Sequence, residues 1–188
     1  MWSGQTNTQH GGYAMTGLDT MVVLAARYDS ERDAVADYNA VVKFLNESGA
    51  VDTYDAAVVS RKETGKVKIV MKREEPTRHG AIAGLGIGLA AGLVVALFPA
   101  VAIGGSLLVG GAGGAAVGAL AGHVARGMSR SDLKDLGELL DDGESGVIVV
   151  AATDVADRVD ALLAKAAKKQ RKQMAADEKE LKRELANA

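Results

Sequence analysis

The sequence predicts an α+β protein. The expected form is a ferredoxin-like split domain with an inserted antiparallel transmembrane helical hairpin and an extra C-terminal helix. Three observations carry this. No Asp, Glu, Lys or Arg occurs between Arg78 and Arg126, so a long apolar insert divides an otherwise charged chain. On either side of it, apolar runs of strand length alternate with helical patterns in the order β-α-β-β, insert, α-β. Inside it, glycine recurs at every fourth position in two sets.

The totals set limits. A chain of 188 residues suits one compact domain with an appendage. Lys plus Arg is 22 and Asp plus Glu is 24, a formal net charge of -2, which argues against a nucleic-acid binder. With no Cys there is no disulfide, thiolate metal site or cysteine nucleophile, and 3 His leave little for acid–base or metal chemistry. At 4% aromatic, the chain is poor in rings for lining a ligand pocket.

Residues 1–17 read as a disordered tail, since Met1–Thr16 is rich in Gly, Gln, Asn and Thr, and Met1–Met15 has neither the basic region nor the apolar core of a signal peptide. Thr20–Tyr28 is an apolar run of strand length. Asp29 and Ser30 are N-cap types. Ala34, Val35, Tyr38, Val41, Val42 and Leu45 then recur at helical spacing, and Gly49 is a helix stop. Asp55–Lys62 is a second strand, Glu63-Thr64-Gly65 a turn, and Lys66–Lys72 an alternating, half-buried strand.

After the insert, Ser129 with Asp132 resembles a capping box. Leu133, Leu136, Leu139 and Leu140 form an apolar stripe that Gly143 ends, and Gly146–Ala152 is a buried strand. Asp154 with Asp157 opens the last helix, with Val155, Val159, Leu162 and Leu163 on one face. Residues 18–78 and 127–153 are thus expected to make the ferredoxin-like domain, 79–126 the hairpin, and 154–188 a charged helix.

In the insert, Gly80–Phe98 makes a helix of about 28 Å at roughly 1.5 Å per residue, close to a hydrocarbon core of about 30 Å. Pro99 breaks it, and Ser106–Ala125 supplies a second, weakly hydrophobic segment. Lys66, Lys68, Lys72, Arg73 and Arg78 precede the hairpin; Arg126, Arg130 and Lys134 follow it. The loop has no basic residue, so the positive-inside rule puts both termini in the cytoplasm.

The first helix carries Gly80, Gly84, Gly88 and Gly92; the second carries Gly110, Gly114, Gly118 and Gly122. Glycine is costly in helices, so its regular recurrence points to close backbone packing of small-residue faces. An antiparallel hairpin would set Gly92 level with Gly110, Gly88 with Gly114, Gly84 with Gly118 and Gly80 with Gly122. Packing between neighbouring chains is the competing use. The same register brings His79 level with His123, as a metal or pH-sensing pair or as two interfacial polar residues.

Other patterns carry less. Gly86–Ala91 and Gly111–Ala116 match GxGxxA, but neither opens a helix after a strand, so nucleotide binding is not expected. The carboxylates Asp132, Asp135, Glu138, Asp141, Asp142 and Glu144 read as a solvated face or a divalent-ion site. Lys165, Lys168, Lys169, Arg171 and Lys172 are candidate contacts for anionic lipid, or the charged side of a solvated helix.

The chain resembles the bacterial domain of unknown function 1269 family. The carrying residues are Asp55-Ala56-Ala57-Val58-Val59, the Gly65-Lys66-Val67 turn, the glycine-rich hairpin with Pro99, Asp132–Leu140 and Gly143–Val150. The resemblance implies a membrane-associated bacterial protein, of a kind discussed with stress proteins. It implies no activity, catalytic residue, cofactor or metal.

The expected function is therefore non-enzymatic. A glycine-zipper hairpin anchors the protein in the bacterial cytoplasmic membrane and drives self-association. The cytoplasmic α+β domain then docks a protein partner. The alternatives are a pore-forming or membrane-remodelling oligomer, and a large soluble homo-oligomer or ligand sensor with the hairpin buried inside.

Overall fold

The computed structural model describes residues 19–48, 54–73, 89–98, 102–103, 106–107, 112–141, 143–177, 180, 183–184 and 186–187. The expected tail, His79, Gly80, Gly84, Gly88 and Gly110 lie outside these.

The elements follow in chain order. They are β1 (Asp19–Tyr28), α1 (Glu31–Glu47), β2 (Tyr54–Arg61), β3 (Val67–Arg73), α2 (Leu89–Leu97), β4 (Ala102–Ile103) and β5 (Ser106–Leu107). Then come α3 (Ala112–Gly127), α4 (Arg130–Gly137), β6 (Ser145–Ala152), α5 (Thr153–Leu162) and β7 (Lys168–Ala176). Two expected caps are in place. The Ser30 hydroxyl accepts from the Asp33 amide at 3.1 Å, and the Ser129 hydroxyl accepts from the Asp132 amide at 3.1 Å. Gly65 and Gly143 take positive φ, 76° and 85°, where the chain turns between strands and out of α4.

The strands form one sheet in the order β5-β4-β3-β2-β6-β1-β7. Its main part, β3-β2-β6-β1-β7, is antiparallel throughout. The expected chain order is present, but the strand order departs from the ferredoxin-like one, in which the first and third strands are central neighbours. Here β2 and β6 separate β1 from β3. The composition of the strands explains it. In β6, Val147, Ile148, Val149, Val150 and Ala151 are all buried, so both faces and both edges of this strand must be covered. In β3, exposed Lys68 lies between buried Val67 and Ile69, a pattern suited to a place nearer the rim.

The charged C-terminal helix is a second departure. Its first part forms α5; the chain then turns and returns as β7, paired with β1 from Asp19↔Ala176 to Arg27↔Lys168, and Glu180, Arg183, Glu184 and Ala186 beyond it are helical again. The segment is rich in helix formers (Lys, Gln, Arg and Ala), but tertiary context overrides them. Val22, Val23, Leu24, Ala25 and Ala26 of β1 are buried, and without β7 the outer backbone groups of this strand would have no partner. Met174 and Ala176 are buried while Gln173 and Ala175 are exposed, a period of two rather than of a helix.

Helices cover both faces. On one side α1 and α5 pack over Val22, Leu24, Ala26, Val58, Val147 and Val149. On the other side α2, α3 and α4 pack over Val23, Ala25, Val59, Ile148 and Val150. The glycine-rich segment is thus a layer of the domain core. Ala90, Leu93, Val94 and Val124 are completely buried there.

The expected transmembrane hairpin finds no support among the described residues. Among the described residues no helix is long and apolar enough to cross a membrane. The 9 described residues of α2 span about 14 Å at roughly 1.5 Å per residue, and residues 74–88 before them lie outside the described part. The middle of the segment was expected across the bilayer from the sheet. Instead Ala102–Ile103 pair in parallel with Lys68–Ile69 of β3, and β5 folds back on β4. A sheet face lined with valine and isoleucine has to be covered, and the nearest apolar chain covers it.

Candidate functional site

The predicted site residues fall on two parts of the fold: the α2–α3 layer and the basic strand β7.

The glycines of the α2–α3 layer are not equivalent. A Cβ on Gly92 would stand 2.8 Å from Leu120 Cβ and 3.1 Å from the Leu120 carbonyl carbon, so Gly92 permits the close approach of α2 to α3. Its neighbour is therefore Leu120, ten residues beyond the expected Gly110. Among the described residues nothing lies within 4 Å of a Cβ added at Gly118, and one added at Gly122 would meet Arg126 Nη1 at 3.4 Å. Gly114 lies in α3. Sequence reasoning missed Gly127, which stands outside the four-residue period. A Cβ there would overlap the carbonyl oxygen of Ala175 and approach Met174 Cγ at 3.1 Å.

Two carboxylates that the sequence assigned no role organise the surroundings. Asp55 Oδ2 accepts from the Ala90 amide at 2.9 Å, so the first residues of β2 cap the start of α2. Asp37, only 5% exposed, accepts from the Tyr28 hydroxyl at 3.1 Å and from the Lys165 amide at 2.7 Å. It ties α1 to β1 and to the turn before β7. Burial, then the neighbouring Asp37 charge, pushes the Tyr28 phenol well above its ordinary range.

The basic residues of the C-terminal segment are exposed apart from half-buried Lys172, and four of the five are paired with aspartates. Lys165 pairs with Asp33 at 3.3 Å, Lys169 with Asp160 at 3.2 Å, and Arg171 with Asp157. Lys172 lies 2.8 Å from Asp132 and 2.6 Å from Asp135. Lys168 is exposed. These pairs bind the segment to α1, α5 and α4. Hydrogen bonds to Asp132 and Asp135 raise Lys172 above the ordinary lysine range. The hydrogen bonds from Lys172 and Ser129 hold Asp132 below the ordinary carboxylate range.

Similar contacts engage the acidic residues read as a solvated face or a divalent-ion site, of which Asp142 lies outside the described residues. Asp132 and Asp135 face Lys172, Glu138 lies 3.7 Å from Lys134, and Glu144 takes Arg27 at 3.0 Å and the Asp141 amide at 2.7 Å. Among the described residues, no group of three or more His, Asp or Glu is arranged to hold a metal ion. His123 is buried, 4% exposed, inside α3. Its Nε2 accepts from the Asp177 amide at 3.3 Å, and its Nδ1 lies 3.4 Å from Glu184. Arg126 pairs with Glu184 and, at 3.7 Å, with Glu180. This cluster holds the end of the chain against α3.

The chain matches no curated protein and no solved structure. A family profile does match it, over residues 81–186, more than half of its length, and that stretch runs from the glycine-rich layer through α4, β6 and β7. The chain therefore belongs to the family described as protein of unknown function (DUF1269).

Proposed function

We propose that the protein is a non-enzymatic, membrane-associated interaction module. Its charge-free segment is held as one layer of the α+β domain, and the domain engages the cytoplasmic face of a bacterial membrane from that folded state. One observation carries the reading. The residues that are apolar enough to seek a bilayer are the same ones that pack over Val59, Ile148 and Val150. Attachment at the surface leaves that apolar chain in place on the sheet.

Self-association belongs to the same reading. On the Gly118 side of α3 no described residue lies within 4 Å of an added Cβ, which suits the close approach of a second helix. The absence of catalysis is supported by the carboxylates: Asp37, Asp55, Asp132 and Glu144 are all engaged by donors of the chain itself. A second reading, a large soluble homo-oligomer, is favoured by the burial of Ala90, Ala91, Leu93 and Val94 of α2 against the sheet.

Fractionation of expressing cells separates these readings. The proposal predicts that the protein sediments with membranes and is released by alkaline carbonate. Resistance to carbonate, with release only by detergent, would mean that the segment crosses the bilayer. Recovery in the supernatant as a large particle would establish the soluble assembly instead.

A further inference from the structure

We propose that the contact with anionic lipid headgroups is built on the β2–β3 hairpin, where Lys62, Lys66 and Lys68 stand beside the β4–β5 edge, and not on the basic C-terminal strand. The inference rests on the membrane-associated reading above and assigns it a surface.

Charge alone does not distinguish the two places, but pairing does. Lys165, Lys169, Arg171 and Lys172 are each matched by at least one aspartate of α1, α4 or α5. A bilayer phosphate would have to displace those partners. Lys62, Lys66 and Lys68 are exposed, and among the described residues no carboxylate forms an ion pair with any of them. The one acid in the turn is Glu63. Three ammonium groups over a short stretch of chain therefore face water with their charge available.

Their placement is also fixed. The Lys62 amide donates to the Lys66 carbonyl at 2.9 Å, and the Gly65 amide donates to the Lys62 carbonyl at 2.8 Å, so the turn is closed at both levels. Lys68 sits on β3, where it pairs with Ala102 of β4. Beyond β4 lies β5, and the four residues of these two short strands (Ala102, Ile103, Ser106 and Leu107) carry no charge. A rim of uncharged chain flanked by lysines suits a membrane surface. The rim settles at the boundary of headgroups and acyl chains, and the ammonium groups reach the phosphates.

The test is sedimentation of the full chain with vesicles. One set is phosphatidylcholine alone; the other is phosphatidylcholine mixed with phosphatidylglycerol. The triple variant Lys62→Gln, Lys66→Gln, Lys68→Gln is expected to bind the mixed vesicles on the order of 100-fold more weakly, from about 1 kcal/mol per basic residue at an anionic surface. The matched variant Lys165→Gln, Lys169→Gln, Arg171→Gln removes the same charge from paired positions of the C-terminal segment and should leave binding unchanged. Circular dichroism confirms that both variants are folded. If the hairpin variant keeps the preference for anionic vesicles, the assignment is overturned while the membrane reading stands. If the unaltered protein sediments with neither set, the membrane reading fails, and this inference fails with it.

Discussion

Gly127→Ala should destabilise the protein by about 3 kcal/mol, at the upper end of what overpacking costs. The added methyl would overlap the Ala175 carbonyl oxygen, and a backbone group in a paired strand cannot swing aside as a side chain can. Either α3 lifts from β7 or the strand shifts out of register with β1. Gly92→Ala should cost less, since its nearest obstacle is Leu120 Cβ at 2.8 Å on a neighbouring helix. In the monomer, Gly118→Ala should be neutral, or stabilising by up to about 1 kcal/mol, because it removes the glycine penalty where no described residue lies within 4 Å of the added methyl. Urea unfolding of the three variants checks the order. Equal losses at Gly118 and Gly127 would mean that the open side of α3 is occupied in solution.

Asp37→Ala should cost about 3–5 kcal/mol. Hydrogen bonds to a charged group contribute roughly 1.5–3 kcal/mol each, and this carboxylate takes two. The alanine would leave the Lys165 amide and the completely buried Tyr28 hydroxyl without their acceptor. A domain with a total stability of about 5–15 kcal/mol would lose a large fraction of it. Tyr28→Phe removes one of the two donors and should cost clearly less. Combined with Asp37→Ala it should add little, because its partner is already gone. Thermal unfolding of the two single variants and the double variant measures this coupling. Full additivity would show that the two groups do not depend on each other.

The local features were legible in the sequence because local physics sets them. The strand expected at Thr20–Tyr28 is β1 at Asp19–Tyr28, that at Asp55–Lys62 is β2 at Tyr54–Arg61, and that at Gly146–Ala152 is β6 at Ser145–Ala152. Ser30 and Ser129 cap the helices they were expected to cap. The turn at Gly65 was readable because a positive φ there favours glycine.

What escaped reading depends on distant parts of the chain. The residues of β7 have helical propensity, and only the uncovered edge of β1 makes them a strand. The four-residue glycine period identified helices but not their neighbours, so Gly92 was matched to Gly110 rather than set against Leu120. The long charge-free stretch fitted a bilayer as well as a sheet face, because both environments exclude water. Asp55 stood in a recognised motif, yet its task as a cap lies 35 positions away at Ala90. A signal for Asp37 was available. It stands three residues after Ala34 and four before Val41, on the buried stripe of α1, where an unpartnered carboxylate would be costly.

The central claim is that the glycine-rich segment lies along the sheet, with its middle beside β3. A disulfide tests this most directly, since the chain has no cysteine of its own. Lys68→Cys with Ala102→Cys places one thiol on each of two paired positions of β3 and β4. Thr20→Cys with Ala175→Cys, paired across β1 and β7, serves as the reference. Neighbouring strands lie about 4.8 Å apart, within the Cα separations of about 4.4–6.8 Å that a disulfide spans. The fold described here predicts that both pairs close on mild oxidation, with and without membranes present. Closure of the reference pair alone would place residues 68 and 102 apart and contradict the account.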